Sequence, residues 1–471
     1  MLLFTIMSLS KAIIYNDVQN VIQAVKHGAK LDVIDEYGYT PLIQTAIMDS
    51  VNKAAVIINA GAKIDFPDLT GRTALHWATD GNNLKLCKLL LEHKANPNAY
   101  TLAGQPVLVM PILRHQKELV KLLHQYGADF KFAKDFINAK LLAHRYELHG
   151  HVDIVDKTKT LIEIDFEGFY LEFTIAAIHN SLQDFRNNFG ARHLRKYFKD
   201  LDKLITSFVN ASELIKYQHY NVDKSEHEEH INELLSKEPL LLPIGYAGHG
   251  VSLIKYKNLF AHCDRGLYGK TQGPLNIYRI GAPKIFNHKF SKKLLYTRQE
   301  KFFVENEMHN MLGLKPFAQL LISLQTTGNC SWANIEAAIP AIMFLLLLDQ
   351  GNPNDRVYVN QCQKTAMSFY QEWLEWDKTR SLKHFMYNLE EIPHTRQVTK
   401  AALLAAILFQ KCDYQDDKDF ARAKIIAPIL ARDEFRYIVE SYIEVFLKQH
   451  RTSLGKNLAE ILESFGVDVE E

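Results

Sequence analysis

The fold of the first part of the chain is decided by four related stretches: HGAKLD (27–32), NAGAKID (59–65), HKANPN (93–98) and YGADFK (126–131). One position in each stretch recurs at a constant interval of 33 residues: Gly28, Gly61, Lys94 and Gly127. A fixed period of this size indicates supersecondary units that stack on one another. The apolar helical segments between the stretches cannot bury their apolar faces alone, so the repeats are expected to form a short solenoid.

A second set of glycines repeats at the same interval and opens three similar segments: GYTPLIQTA (38–46), GRTALHWAT (71–79) and GQPVLVMPI (104–112). These segments resemble the ankyrin signature T-P-L-H-x-A. The resemblance implies a solenoid of helix pairs, and we place four ankyrin repeats over residues 9–135. It also implies that the concave face binds a partner protein. The motif histidine, His76, is expected to brace a turn between repeats rather than to hold a ligand.

One residue of the repeats is a candidate for modification. At the repeat position occupied by Asp32, Asp65 and Lys131, the third unit carries Asn98. In the ankyrin family, an asparagine at this turn is a substrate of the host asparaginyl hydroxylase, so the resemblance makes Asn98 a candidate substrate and that enzyme a candidate partner. The alternative is an asparagine that only stabilises the turn through side-chain hydrogen bonds.

The composition indicates a soluble globular protein without a polyanion-binding coat. The chain of 471 residues has 55 basic and 54 acidic residues and a pI near 7.7, so no direct nucleic-acid binding is expected. Five scattered cysteines argue against a disulfide framework and favour a reducing compartment: Cys87, Cys263, Cys330, Cys362 and Cys412. They form no Cys-x-x-Cys pair, and we expect neither a metal site nor a cofactor.

Neither of two apolar segments is expected to act as a membrane or export segment. The opening MLLFTIMSLSK (1–11) lacks a basic region and a cleavage site, so no signal peptide is expected, and translation could start at Met1 or Met7. The run AAIPAIMFLLLL (337–348) is too short to span a bilayer and is expected to form a buried helix.

After the repeats, the 33-residue period is lost and a second domain of mixed α and β structure is expected over residues 136–345. Its segment LLLPIGYAGHGVSLIKYKNLFAHCDRG (240–266) predicts a hairpin of two strands. His249 heads the first of these strands and Asp264 ends the second. Antiparallel pairing therefore brings both residues to one end of the hairpin, where the carboxylate can orient and stabilise an imidazole.

A candidate nucleophile follows in the stretch SLQTTGNCSWANIEAAIP (323–340), which places Cys330 at the predicted start of a helix. The helix dipole and a nearby imidazolium would both lower the pKa of its thiol. Taken singly, each residue has an inert alternative. His249 could be an exposed turn residue, Asp264 could pair with Arg265, and Cys330 could be a buried thiol.

The order His249, Asp264, Gln325, Cys330 resembles the clan of cysteine peptidases that includes the SUMO and ubiquitin-like proteases, the adenoviral protease and bacterial acetyltransferase effectors. The resemblance covers about residues 235–345 and implies a Cys-His-Asp triad whose glutamine helps to stabilise an oxyanion. The sequence departs from that clan in one respect, because Trp332 follows the cysteine as in papain-type enzymes while no tryptophan follows the histidine.

Residues 346–471 are expected to form a helical C-terminal part packed on the catalytic domain. The acidic end, NLAEILESFGVDVEE (457–471), resembles bacterial type IV export signals. The whole layout resembles ankyrin-repeat effectors that intracellular bacterial pathogens inject into host cells, which implies virulence, delivery into the host cell and a host protein as partner. Three activities remain open: a thiol protease, an acyltransferase using the same triad, and a non-catalytic interaction scaffold.

Overall fold

A computed structural model describes residues 8–15, 17–156, 158–168, 170–218, 224–225, 227–246, 248–326 and 328–467. The two expected start residues, Met1 and Met7, and the last four residues of the acidic end lie outside these ranges. The chain divides into two compact units. The first comprises residues 1–139, 151–165 and 219–222, and the second comprises residues 140–150, 166–218 and 223–471.

The first unit is built from successive helix pairs, as the 33-residue period predicts. The pairs are α1 (Leu9–Tyr15) with α2 (Val18–Lys26), α3 (Pro41–Ile47) with α4 (Val51–Asn59), α5 (Ala74–Asp80) with α6 (Leu84–Glu92), and α7 (Val109–Leu113) with α8 (Lys117–Gln125). Helix α9 (Phe130–Arg145) follows, and a separate hairpin is formed by β1 (His151–Val155) and β2 (Leu161–Asp165).

The ankyrin signature residues have local structural roles. The hydroxyl of Thr40 accepts a hydrogen bond from the backbone N–H of Ile43 and caps α3, whose first residue is a proline. In the next repeat, the buried ring of His76 accepts a hydrogen bond from the Thr73 backbone N–H. Its Nε2 lies 3.4 Å from the carbonyl of Gln105 in the next repeat, so His76 braces a turn between repeats, as the sequence predicts.

The second unit contains a five-stranded antiparallel sheet in the order β3-β4-β5-β6-β7. Its strands are β3 (Leu240–Tyr246), β4 (His249–Tyr256), β5 (Leu259–Cys263), β6 (Leu275–Arg279) and β7 (Lys315–Gln319). The predicted hairpin is present as β4 and β5, which are joined by a two-residue turn in which Lys257 has a positive φ of 52°.

Both faces of this sheet are covered, so alternate residues of each strand enter different cores. Ile254 and Cys263 face a large core that also holds Trp332, while Leu253 and Phe260 face a smaller one. The flanking helices are α10 (Leu171–Asn187), α11 (Phe198–Lys216), α12 (Glu228–Leu235), α13 (Leu267–Gln272), α14 (His288–Tyr296), α15 (Met308–Leu312), α16 (Cys330–Glu336) and α17 (Ala338–Leu348).

The C-terminal part is helical, as expected. It consists of α18 (Arg356–Met386), α19 (His394–Lys411), α20 (Asp417–Leu430), α21 (Asp433–Ile443) and α22 (Ser453–Glu463). Short 3₁₀ helices span Phe189–Tyr197, Pro283–Ile285 and Leu389–Glu391, and π-helical turns span Phe303–Glu307 and Glu444–Gln449.

The most apolar segment of the chain forms a core helix. Every residue of α17 is buried, as the sequence predicts for the run that contains Pro340. Within the described residues, Cys330–Leu348 is the one helical stretch that is long and apolar enough to cross a bilayer, and it is buried inside the protein except at the partly exposed Cys330.

Candidate functional site

The two predicted strand residues meet at one end of the β4–β5 hairpin. His249 is the first residue of β4, and Asp264 follows the last residue of β5. The antiparallel register pairs Ser252 with Cys263, which brings the two ends together. Nε2 of His249 lies 2.9 Å from Oδ1 of Asp264, a hydrogen-bonding distance between an imidazole and a carboxylate.

The carboxylate of Asp264 is fully buried and held on both of its oxygens. Oδ1 also accepts the backbone N–H of Gly266 at 2.8 Å, and Oδ2 accepts the hydroxyl of Tyr246 at 3.2 Å. Burial raises the pKa of this carboxyl, but the hydrogen bond and charge of His249 and the N–H of Gly266 outweigh burial and lower the pKa below its usual value. Asp264 therefore stays ionised beside the imidazole.

Gly266 allows this close approach. A Cβ atom added at Gly266 would lie 2.8 Å from Cε1 of His249 and 3.0 Å from Oδ1 of Asp264. Any larger residue would push the imidazole away from the carboxylate, so glycine is required by sterics rather than by backbone flexibility.

The thiol of Cys330 lies against the start of β4. Cys330 is the first residue of α16, and its Sγ accepts the backbone N–H of Gly250 at 3.4 Å. The imidazole of His249 is the neighbouring side chain that does most to lower the pKa of this thiol, and both residues line one cavity. Because Nε2 of His249 is bound to Asp264, Nδ1 is the ring nitrogen left to face the thiol.

The electrostatics of the pair favour a thiolate and an imidazolium. Burial raises the pKa of Cys330, but the hydrogen bond from His249 and the N–H of Gly250 lower it overall below the ordinary value. Burial lowers the pKa of His249, whereas its bonds to Asp264 and Cys330 raise it to about 9. A lowered thiol pKa beside a raised imidazole pKa is the condition for an activated cysteine.

A cavity of about 600 Å³ opens onto the thiol, and we call it the cysteine cavity. Many of its walls are glycine, which lets another polypeptide backbone approach closely. Its lining consists of Glu167, Gly168, Leu171, Gly245, Tyr246, Gly248, His249, Gly250, Arg298, Gly328, Cys330 and Ser331. Arg298 is exposed at this wall.

Gln325 is placed differently from the three triad residues. Its backbone N–H donates to the carbonyl of Arg265 at 2.9 Å, which ties its loop to the residue after Asp264. Its side-chain Oε1 is buried without a hydrogen-bond partner, and Gln325 is not among the residues that line the cysteine cavity. The oxyanion role that the peptidase resemblance implies for Gln325 stays a prediction.

Two other groups beside the thiol could donate hydrogen bonds to a substrate. The backbone N–H of Cys330 donates to no acceptor within the described part of the chain. Oγ of Ser331 is buried, lines the cysteine cavity and has no hydrogen-bond partner there. A backbone N–H at a nucleophile and an adjacent hydroxyl are groups that can stabilise negative charge on a substrate oxygen.

Sequence reasoning missed Asn334, which holds together the two strand ends that carry the candidate triad residues. Its Nδ2 donates to the carbonyl of Gly250 at 2.6 Å, and its Oδ1 accepts the N–H of Arg265 at 2.6 Å. The side chain is completely buried. The available signal was its position four residues after Cys330, which places both residues on one face of a helix.

Arg265 does not pair with Asp264, which removes the inert alternative for that carboxylate. The guanidinium is buried and lies 2.7 Å from Glu147 and 3.4 Å from Glu336. It also donates to the carbonyl of Ser323 at 2.7 Å. Asp264 is thereby left to its hydrogen bonds with His249, Tyr246 and Gly266.

Asn98 bridges neighbouring turns of the ankyrin unit. Its Oδ1 accepts the N–H of Asp129 at 2.7 Å, and its Nδ2 donates to the carbonyl of Gly127 at 2.9 Å. Asp32 and Asp65 make the corresponding bond to the residue 31 positions further on. The turn-stabilising role is therefore present, and the side chain is half-buried.

The remaining cysteines differ from Cys330. Cys87, Cys263, Cys362 and Cys412 are buried, and burial raises the pKa of each thiol. In the part of the chain that the structure describes, no three His, Cys, Asp or Glu side chains form a group that could hold a metal ion.

A family model for ankyrin repeats in three copies matches residues 9–101 and 52–135. Curated relatives match over part of the chain. Inversin of Gallus gallus is 33% identical over 118 residues, which is 25% of this chain and 11% of inversin. A fowlpox virus ankyrin repeat protein is 26% identical over 142 residues, 30% of this chain and 34% of the viral protein. This chain therefore spans only a minor part of these relatives.

One solved structure is similar over nearly the whole chain. The structure of the Legionella effector AnkH is 40% identical in sequence and superposes with a TM-score of 0.85. The match covers 99% of this chain and 98% of the other. The similarity therefore includes the unit that carries Cys330, and not only the repeats.

Proposed function

We propose that this chain, which belongs to the family of the Legionella effector AnkH, is an ankyrin-repeat effector that binds a host protein and carries a cysteine-protease-like site. The observation that carries the enzymatic part is the arrangement of Cys330 beside His249, with Asp264 2.9 Å from the far side of the imidazole. A protein delivered into a host cell needs no disulfides, and the cysteine usage fits that expectation.

The proposed reaction is acyl transfer through a covalent thioester. The thiolate of Cys330 attacks the carbonyl carbon of a substrate amide, and a C–S bond forms. The imidazolium of His249 gives its Nδ1 proton to the leaving nitrogen as the C–N bond breaks. Asp264 holds the ring and stabilises its positive charge throughout.

Water completes the reaction in a peptidase. His249, now neutral, takes a proton from the water molecule as its oxygen attacks the thioester carbon, and the C–S bond breaks to regenerate the thiolate. An acyltransferase would use a substrate amine in place of water. The N–H of Cys330 and the hydroxyl of Ser331 are the proposed stabilisers of the oxyanion in both steps.

The ankyrin unit is proposed to bind the host protein, with the concave face as the recognition surface. Exposed apolar side chains at the tips of successive turns support an additional contact area. Leu69 and Leu102 are 69% and 81% exposed and occupy equivalent positions 33 residues apart. Recruiting the substrate by a separate unit raises its local concentration and allows a weak catalytic pocket to remain selective.

The enzymatic proposal is tested by acylation with p-nitrophenyl acetate. Full-length protein should acquire one acetyl group on Cys330, detected by intact mass and peptide mapping. His249→Ala should abolish it, whereas Cys362→Ala should not, because that thiol is buried and its pKa is raised. Equal acylation of wild type and His249→Ala would contradict a base-activated thiolate. Release of the acetyl group to water or to an added amine separates peptidase from acyltransferase chemistry.

A non-catalytic scaffold is the second candidate, and the position of Gln325 favours it, because its side chain does not line the cysteine cavity. In that case, Cys330→Ala should leave every effect on the host cell intact. Substitutions on the ankyrin unit, such as Leu69→Glu with Leu102→Glu, should remove those effects. The opposite pattern, in which Cys330→Ala alone removes them, excludes a pure scaffold.

A further inference from the structure

The unit that holds the triad contains a second cavity of about 600 Å³, which we call the tyrosine cavity. It lies beside β6 and β7 and is mostly polar. Its lining consists of Tyr268, Thr271, Gln272, Asn276, Ile277, Tyr278, Glu305, Asn306, His309, Leu314, Pro316, Phe317, Ala318 and Gln319. The triad residues do not line it, so the mechanism proposed above gives it no role.

The charged groups that line the tyrosine cavity favour a cationic ligand. Glu305 is its single carboxylate, and no lysine or arginine is among the lining residues. Burial lowers the pKa of His309 to about 4, so this ring is neutral at physiological pH. One carboxylate among aromatic rings and amides suits a cation and disfavours an anion.

The aromatic wall is organised before any ligand arrives. The rings of Tyr278 and His309 have centroids 5.1 Å apart, and the hydroxyls of Tyr268 and Tyr278 are 3.2 Å apart. Behind them, Nδ1 of the fully buried His262 lies 3.0 Å from Nε2 of His309. The other nitrogen of His262 is buried without a hydrogen-bond partner in the described residues. The buried His262 therefore fixes the orientation of the His309 ring through this contact.

Glu305 connects the tyrosine cavity to the triad. It lies in the π-helical turn Phe303–Glu307, a rare conformation that is frequent at functional sites. Its Oε1 accepts the hydroxyl of Tyr246 at 3.0 Å, and the same hydroxyl lies 3.2 Å from Oδ2 of Asp264. Lys301, a half-exposed residue one turn earlier, has its Nζ 3.9 Å from Oε1.

We propose that the tyrosine cavity binds a primary ammonium or guanidinium group against Glu305 and the neighbouring rings, and that its occupancy adjusts the triad through Tyr246. The group could belong to a lysine or arginine side chain of a bound protein or to a free polyamine, since both present the same chemistry. The binding part stands on the cavity alone, whereas the adjustment of the triad rests on the function proposed above.

The coupling follows from the single proton of the Tyr246 hydroxyl. This proton can be donated to Glu305 or to Asp264, but not fully to both. A cation that engages Glu305 displaces Lys301 and withdraws the acceptor, so the hydroxyl donates to Asp264. That donation reduces the ability of Asp264 to stabilise the His249 imidazolium and therefore the thiolate of Cys330. Three other titratable groups near Asp264 are also neutral. Burial lowers the pKa of His262 to about 3, and burial raises the pKa of Cys263 and of Tyr268.

Binding is measured first by calorimetry on full-length Cys330→Ala, so that reactivity of the thiol is irrelevant. The probes are Nα-acetyl-lysine methylamide, Nα-acetyl-arginine methylamide, spermidine, and Nα,Nε-diacetyl-lysine methylamide as the neutral control. We expect saturable binding of cationic probes, weakened about tenfold or more by Glu305→Gln through loss of a charge-assisted contact. Glu300→Gln, an exposed residue of the same segment, should have no effect.

A second variant covers the case in which Glu305→Gln fails to fold. Gln272→Lys adds a positive charge to an exposed lining residue and should weaken cation binding without disturbing the core. Preference for the blocked amino acids identifies a protein side chain as the source, and preference for spermidine identifies a free polyamine. Unsaturable binding, or equal affinity for the neutral control, overturns the proposed site.

The coupling is then measured on the wild-type thiol by alkylation of Cys330 with iodoacetamide. Saturation of the tyrosine cavity should slow labelling at neutral pH several-fold, and Tyr246→Phe should remove that response to the probe. If a probe binds but the rate of Cys330 alkylation does not change, the proposed coupling is wrong, while the proposed binding site stands. If Cys330 proves unreactive, the proposed function fails while the calorimetry on Cys330→Ala still decides the binding proposal.

Discussion

Nε2 of His249 lies 2.9 Å from Oδ1 of Asp264, and this contact determines how the rest of the candidate site is arranged. It occupies one ring nitrogen and leaves the other for Cys330. It also keeps the imidazole charged, since the carboxylate beside it helps to raise the pKa of His249 to about 9. The hydrogen bond between His249 and Asp264 thereby favours ionisation of the Cys330 thiol.

Replacing the imidazole should return Cys330 to ordinary thiol behaviour. In the wild type, the lowered thiol pKa predicts rapid iodoacetamide labelling at about pH 6.5, where a free cysteine of pKa about 8.5 is almost entirely protonated. In His249→Ala, the labelling midpoint should move to higher pH because the imidazolium no longer favours the thiolate. Peptide mapping with rate measurements across pH checks this, with Cys412→Ala as the matched control. An unshifted midpoint would contradict ion pairing.

Removing the charge of Asp264 should weaken the thiolate without deleting the base. In Asp264→Asn, the pKa of His249 should fall, because the variant lacks the carboxylate charge that favours the imidazolium. One unit of pKa corresponds to a tenfold change in protonation equilibrium, so labelling at neutral pH should slow about tenfold or more. Tyr246→Phe should have a smaller effect of opposite sign, since it removes a neutral donor whose hydrogen bond weakens the hold of Asp264 on the imidazolium. Equal effects of the two substitutions would argue against an electrostatic role.

Asn334→Ala should destabilise the second unit and impair the site together. Its amide satisfies the carbonyl of Gly250 and the N–H of Arg265, both beside triad residues. Leaving two buried polar groups unpaired costs about 2–4 kcal/mol in the free energy of unfolding. Urea unfolding monitored by tryptophan fluorescence measures this cost. Asn360→Ala, at an exposed position of α18, serves as the control and should change stability very little.

The ankyrin unit should lose stability in acid through His76. Burial is the main reason that the pKa of this ring falls to about 3 in the folded protein, against 6.5 for an ordinary histidine. Between these values the unfolded chain binds more protons, so stability is complete above about pH 6.5 and decreases as the pH falls toward 3. His76→Gln should flatten this dependence. Urea unfolding of both proteins at about pH 7.5 and pH 4.5 measures the difference. A parallel pH dependence in the two proteins would contradict this.

Exposure of the protein to the host asparaginyl hydroxylase with Fe(II), 2-oxoglutarate and O2 should add one oxygen atom, taken from O2, to the peptide that contains Asn98, while the other oxygen atom converts 2-oxoglutarate to succinate and CO2. The turn must open for this, because the side chain is bonded to Asp129 and Gly127. Modification should therefore be faster in a variant whose turn is loosened, such as Gly127→Ala, where a positive φ of 87° disfavours alanine. Mass spectrometry of wild type, Gly127→Ala and Asn98→Ala checks the site. Oxygen added elsewhere would exclude Asn98 as the target.

The sequence by itself determined the helix pairs of the repeats and the β4–β5 hairpin, because these structures depend on interactions between residues that are close in the sequence. The 33-residue period, the turn glycines and the Thr-Pro start of α3 predict the helix pairs of the first unit, because each repeat packs on the next in the same way. The β4–β5 hairpin was equally local, and its two-residue turn placed His249 and Asp264 together before any tertiary contact was known.

Only the tertiary structure decided which distant groups share a site. Cys330 is separated from His249 by 81 positions, and no local pattern states that α16 packs its first residue on the start of β4. The ion-pair partners of Arg265 could not be predicted for the same reason, since Glu147 and Glu336 are 118 and 71 residues away in the sequence. The link from Glu305 through Tyr246 to Asp264 also joins separate segments. Side-chain partners at long sequence separation depend on how elements pack, and packing is a property of the whole core.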